Sequence, residues 1–231
     1  MSLLQGLYLY EIIMMVLGVI LSFYALALLK STPKTGIGCF LVCAIFIGWP
    51  SIQSFAYKDG ELKVEKAIHK LQEDPTDGQA RQIVKDNLPK LERRPAPNAQ
   101  VATAIARAQF AIGNEAAAEA SLNQALKADP QLPEAVALRE KIASIRKLDQ
   151  LTQQVKSNPL NEAAKQELAQ QLAQVVNEPI ANPDALAKLA QAQATIGNQQ
   201  AAASAAAKVS KISPNSAAAM ELKRTISVAP H

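Results

Sequence analysis

The chain has 231 residues, 49% of them hydrophobic but only 4% aromatic, and a formal net charge of +4. Lys and Arg alternate with Asp and Glu along most of it, so no basic stripe interleaved with stacking aromatics marks a nucleic-acid surface. After residue 57 the composition is rich in Ala, Gln, Leu and Lys. These residues lose least on entering a helix, which argues against long strands and for an all-α chain.

Residues 1–57 read as a transmembrane helical hairpin. Ile12 to Leu29 contains no charge and, with Leu7 to Tyr10, gives a first span over about 7–29. The hydrocarbon core of a bilayer needs about 20 such residues. A second uncharged stretch, Ile37 to Phe55, follows the short polar turn Lys30 to Gly36 and gives a span over about 37–55. So short a turn permits only an antiparallel pair. Tyr8 and Tyr10, with Trp49, Phe55 and Tyr57, would set amphipathic rings at one membrane interface.

Lys30 and Lys34 in the turn, and an N-terminal tail without Lys or Arg, favour both termini outside. In a bacterium this makes an inner-membrane protein with its main domain in the periplasm. Lys58, Lys63, Lys66 and Lys70 pull towards the cytoplasmic side, but they alternate with acids at the start of a long domain. Ala25-Leu26-Ala27 resembles a signal-peptide cleavage site, against which stand Glu11 and the missing positive n-region. No ionisable residue lies in the middle of either span, so the hairpin reads as an anchor rather than a transport path. Gly18 with Ser22, and Ala44 with Gly48, form small-residue pairs suited to close helix packing. Cys39 and Cys43 share a helical face but have no His or carboxylate nearby, and His69 and His231 are isolated. No metal site or other cofactor is expected.

Residues 58–231 carry an internal duplication at an 84-residue interval. Asp74-Pro75 recurs as Asn158-Pro159, Ile112-Gly113-Asn114 as Ile196-Gly197-Asn198, Pro130 as Pro214, and Leu138 to Ile142 as Leu222 to Ile226. The copies run over about 61–146 and 147–231. Such self-similarity marks an array whose units bury their apolar faces by stacking. Pro and Gly-Asn breaks separate nine apolar-periodic segments, at roughly 61–73, 77–93, 98–112, 115–128, 133–157, 161–177, 183–196, 199–212 and 215–227. Paired in order, they make antiparallel helical hairpins. Pro89 should kink or end the second segment. A coiled coil would need a sustained heptad, which the regular breaks forbid.

The run 98–130 has Ile105, Ala106, Gly113, Ala118, Leu122, Ala125 and a closing Asp129-Pro130 at the packing positions of a 34-residue helical hairpin. Leu186, Leu189, Ala190, Gly197, Ala202, Ala206, Val209 and Pro214 repeat the pattern. The chain therefore resembles the tetratricopeptide-repeat (TPR) family over these two hairpins, and more loosely over 61–93 and 133–177. It departs from that family at Ala102, Gln109, Leu122 and Ala206, which stand where aromatics are usual. The resemblance implies a TPR-like α-solenoid, with the first helix of each hairpin lining a concave protein-binding groove. The groove residues would be Gln100, Thr103, Arg107 and Phe110, and in the copy Asp184, Lys188, Gln191 and Thr195. The family's carboxylate clamp uses Lys and Asn at two of these places; Thr103 and Arg107, then Ala187 and Gln191, do not reproduce it.

No Gly-rich phosphate loop, zinc-protease motif or nucleophile elbow is present, so no enzymatic activity and no small-molecule substrate are expected. The expectation is a membrane-anchored adaptor or scaffold that binds protein partners and supports assembly of a membrane-associated complex. The alternative is a structural subunit of a larger membrane machine. That class includes the apoprotein chaperone of cytochrome c maturation, which the arrangement of two spans and a repeat array also resembles, except for its minimal inter-span loop.

Overall fold

The computed structural model describes residues 9–31, 57–93, 96–216, 219–220 and 222, and every regular element among them is a helix. In chain order these are α1 (Leu9–Ser31), α2 over 57–73, α3 (Gly78–Glu92), α4 (Ala99–Ala111), α5 (Glu115–Ala128), α6 (Pro133–Ser157), α7 (Glu162–Val175), α8 (Pro183–Thr195) and α9 (Gln199–Ile212). Residues 219, 220 and 222 are helical as well and fall within the last expected segment, 215–227.

α1 is continuous for 23 residues and exposes Ile20, Tyr24 and Phe23, the last at 74%. Among the described residues no helix is long and apolar enough to cross a membrane. The described side chains of α1 are Ile13 and Val16 to Leu26, fewer than a span needs, although its backbone is helical throughout the uncharged run Ile12 to Leu29. The second expected span, 37–55, lies outside the described residues. The transmembrane hairpin expected over 1–57 is thus not supported by the described residues.

Short polar side chains start the helices. Asp77, Asn98, Asn114 and Asn161 each accept a hydrogen bond from the backbone N–H three residues on, and Asn182 accepts from both Asp184 and Ala185. Each bond satisfies a donor that the first turn leaves unpaired. Pro133 and Pro183 open α6 and α8, where a missing N–H costs nothing. Gly113 and Gly197, at φ +95 and +87, end α4 and α8. In the first case Gly113 donates to Phe110 O and Asn114 to Gln109 O; in the second Gly197 donates to Ala194 O and Asn198 to Gln193 O. This paired closure of orphan carbonyls requires the left-handed residue that glycine supplies.

Of the two effects expected of Pro89, a kink or an early end, the second does not occur; α3 continues to Glu92. Both Pro89 and Lys85, whose carbonyl loses its N–H partner, lie on the exposed face, where water can hydrate that carbonyl.

α4 packs closely on α5 and α8 on α9, while α6, 25 residues long, packs against α5, α7 and α8. Ala106, Ala118, Ala190 and Ala202 are wholly buried, which allows the axes of each pair to approach. One apolar cluster joins α2, α3 and α4 through Val64, Leu71, Val84, Leu91 and Ile105. A second runs from α4 to α9 through Phe110, Leu148, Leu168 and Val209. Ala181, from the loop before α8, belongs to the first cluster although it is remote from it in sequence.

The first hairpin therefore meets the last, and Arg81 of α3 makes the connection. It is 7% exposed. Its Nη1 donates to Ala111 O at 2.8 Å, and its Nη2 donates to Pro75 O at 3.0 Å and to Ala181 O at 2.8 Å. Burial lowers its pKa below the ordinary guanidinium value, yet arginine stays protonated in proteins, so three carbonyl dipoles replace its water. Lys211 of α9 adds a surface contact, donating to Thr76 Oγ1 at 2.9 Å. The second-copy equivalent of Arg81, Lys165, pairs only with Glu162 on its own helix.

Replacing Arg81 by Met should lower stability by about 3 kcal/mol or more, since three carbonyls lose a charged donor. Lys165→Met should change it by less than about 1 kcal/mol. Chemical denaturation of both variants checks the contrast; equal effects would remove Arg81 from its role. Ala118→Leu and Ala202→Leu should each cost about 1–3 kcal/mol by forcing paired helices apart, read as a lower thermal midpoint.

Candidate functional site

The loop 176–182, between α7 and α8, runs beside the first hairpin and has an opening on either side of it. On one side is a cleft of about 620 Å³ lined by Gln72, Arg107, Glu134, Leu138, Glu140, Lys141, Gln174, Glu178 and Pro179. It is continued by a narrow pocket over Ile68, Phe110 and Ala181 that shares Gln72, Arg107, Leu138, Lys141 and Pro179 with it. On the other side is a recess of about 290 Å³, formed by Gln72, Glu73 and Pro75 of the first hairpin, Val176, Glu178, Pro179 and Ile180 of the loop, and residues of α8 and α9 that include Leu186, Leu189, Gln193 and Lys208. Both openings exist because the array closes on itself.

Local hydrogen bonding fixes the walls. Lys141 donates to Pro179 O at 2.6 Å and lies 3.4 Å from Glu178, so the loop is tied to α6. At the α2–α3 turn, Asp74 accepts from the backbone N–H and from the hydroxyl of Thr76, both at 2.8 Å. These bonds hold the exposed Asp74 carboxyl below the usual carboxylate range, with help from the positive charges of Lys211 and Lys208. Arg107 is half-buried and has neither a hydrogen bond nor an ion pair among the described residues.

The eight residues expected to line a groove are dispersed. Arg107 and Phe110 do come together at the cleft, although Phe110 is only 5% exposed. Thr103 is buried and donates to Ala99 O at 2.8 Å, while Gln100 is exposed. Asp184 is exposed at the start of α8, close to the α4–α5 turn: a Cβ on Gly113 would stand 3.4 Å from its Oδ2. Lys188 lies 3.5 Å from Glu115 and 3.9 Å from Asp149. Gln191 is buried, and Thr195 donates to its carbonyl at 2.8 Å. The reason is the depth of the two helices: ten of the 13 residues of α4 and nine of the 13 of α8 are buried. Helices so enclosed cannot present a whole face to a groove.

Sequence reasoning missed most of the lining, including Gln72, Lys141, Pro179 and Gln193. Only Gln193 had a sequence signal, its alignment with Gln109 at the 84-residue interval. Among the described residues no group of three or more His, Cys, Asp or Glu side chains could hold a metal ion. The openings combine an apolar floor with carboxylates at the rim and, in Arg107, a guanidinium without a partner among the described residues. No family model matches the chain, and no curated protein or solved structure matches it.

Proposed function

We propose that the chain is a membrane-anchored scaffold of TPR-like type, which binds protein partners and supports assembly of a membrane-associated complex without catalysing a reaction. The observation that carries this reading is the cleft of about 620 Å³ in which Arg107 has no partner among the described residues and adjoins Phe110, Leu138 and Pro179. Arginine beside apolar and aromatic surface is the composition that dominates protein interfaces. Support for the anchor comes from α1, a continuous helix over an uncharged run whose large side chains Ile20, Phe23 and Tyr24 are exposed. Together with the second uncharged stretch at 37–55, it would tether the array to a bacterial inner membrane. The lysines of the intervening turn favour a periplasmic array. Tethering raises the local concentration of a partner without demanding high affinity.

A structural subunit of a larger membrane machine is the second reading, favoured by the same exposed apolar face of α1, which a neighbouring span could cover. The two differ in stoichiometry: a scaffold is extracted with substoichiometric clients, a structural subunit in fixed ratio.

Crosslinking in native membranes followed by identification of bound proteins tests the proposal. Arg107→Glu should change stability by no more than about 1 kcal/mol, since the half-buried side chain has no hydrogen bond or ion pair to lose among the described residues, and should remove the main crosslinked partner. Phe110→Ala, by contrast, should cost about 3–5 kcal/mol because the ring is core, so loss of partner in that variant is uninformative. Retention of every partner by Arg107→Glu would move recognition away from this cleft. A periplasm-only reporter joined after His231 should be active; activity of a cytoplasm-only reporter there instead would reverse the orientation.

A further inference from the structure

Each copy of the duplicated unit holds a buried glutamine, and only one of the two has a side-chain partner. Gln109 of α4 and Gln193 of α8 stand 84 residues apart and are 5% and 4% exposed. Gln109 Nε2 donates to Glu92 Oε1 at 2.7 Å. The second-copy counterpart of Glu92 is Val176, which can accept nothing. The Gln193 amide accordingly has no hydrogen bond among the described residues, and its Oε1 is buried without a donor. Buried polar groups are ordinarily paired, and each exception calls for an explanation. Here the exception lines an opening: the recess of about 290 Å³ between the first and last hairpins. Gln109 Oε1 is buried without a donor as well, so what sets Gln193 apart is that its Nε2 also lacks a partner among the described residues and that it lines an opening.

We propose that this recess is a peptide subsite for an extended segment of a partner protein, one that carries an aliphatic residue next to a lysine or arginine. The inference rests on the protein-binding reading above and adds the chemistry of the segment. A backbone C=O is the group that answers Gln193 Nε2, which has no acceptor among the described residues and, unlike Oε1, is not closed off from the recess. Val176, Ile180, Leu186, Leu189, Ala201 and Ala205 wall the recess and would enclose one aliphatic side chain. The volume is close to the lower end of small-ligand pockets, roughly 300–1,000 Å³, and suits one residue rather than a folded surface. Charge selects its neighbour. Of the charged residues on the lining, Glu178 is already paired with Lys141 and the charge of Lys208 already acts on Asp74, which leaves the Glu73 carboxylate. The excess is negative, so a basic residue is favoured beside the aliphatic one and an acidic one is disfavoured.

The test uses the full chain and fluorescently labelled, end-capped hexapeptides with leucine at the third position and lysine, alanine or glutamate at the fourth. Fluorescence anisotropy should show saturable binding of the lysine peptide, with the glutamate peptide at least tenfold weaker. Gln193→Leu should weaken the lysine peptide about tenfold and leave the thermal midpoint unchanged or higher, because it removes an unpaired amide. Gln109→Leu should leave peptide affinity as it is, and Glu73→Gln should narrow the lysine-over-glutamate preference. No saturable binding of the lysine peptide, equal binding of all three peptides, or full affinity in Gln193→Leu would each overturn the subsite. A Gln193→Leu chain that loses the peptide but still crosslinks to its membrane partner would refute the subsite as the partner's docking place and leave the scaffold reading intact. Failure of the wild-type chain to crosslink to any protein would defeat the scaffold reading itself.

Discussion

A buried guanidinium with no carboxylate beside it sets the shape of this protein. Taking a charge out of water is costly, and the cost is offset only where several dipoles converge on it. Arg81 meets that condition by drawing carbonyls from three places: the α2–α3 turn at Pro75, the end of α4 at Ala111 and the α7–α8 loop at Ala181. The three lie far apart along the chain and must coincide for the charge to be tolerated. That coincidence brings the loop 176–182 beside the first hairpin, and both openings of the candidate site follow from it.

Around this constraint the two copies of the duplicated unit have diverged in role. Their helix ends are the same, with glycine at positive φ and asparagine following, and their tight contacts use alanine at matching positions. Their polar interiors differ. Arg81 corresponds to Lys165, a surface residue, and Glu92 corresponds to Val176 at the recess. In the first copy Gln109 Nε2 has its acceptor in Glu92; in the second Gln193 has no side-chain partner among the described residues and lines the recess. Duplication supplies equal scaffolds, and substitutions at a few equivalent positions are enough to pair one glutamine amide and leave the other facing an opening.

Helix bounds were legible in the sequence because the residues that set them act locally. The expected segments 115–128, 133–157 and 199–212 coincide with α5, α6 and α9, each placed by Gly-Asn or proline. Whether Pro89 ends its helix was not legible, because that depends on where the freed carbonyl points, which is a tertiary property. The groove was less legible for the same reason. A solenoid that stays open would expose Thr103 and Gln191 along its inner face; here both are interior, since α4 and α8 are enclosed. Nothing in the periodicity around Arg81 distinguishes it from the solvated lysine at the same place in the other copy, because its acceptor at Ala181 lies 100 residues away.

The contact between Lys211 and Thr76, together with the Arg81 bridge, has a bearing on how such a chain can evolve. In an open solenoid each unit touches only its neighbours, and units can be gained or lost at an end with little effect on the rest. Closure removes that freedom. Deleting one hairpin would carry Ala181 out of reach of Arg81, and inserting one would do the same in the opposite sense. Copy number is therefore fixed in this architecture, and variation is confined to single positions within copies, as Glu92 and Val176 illustrate.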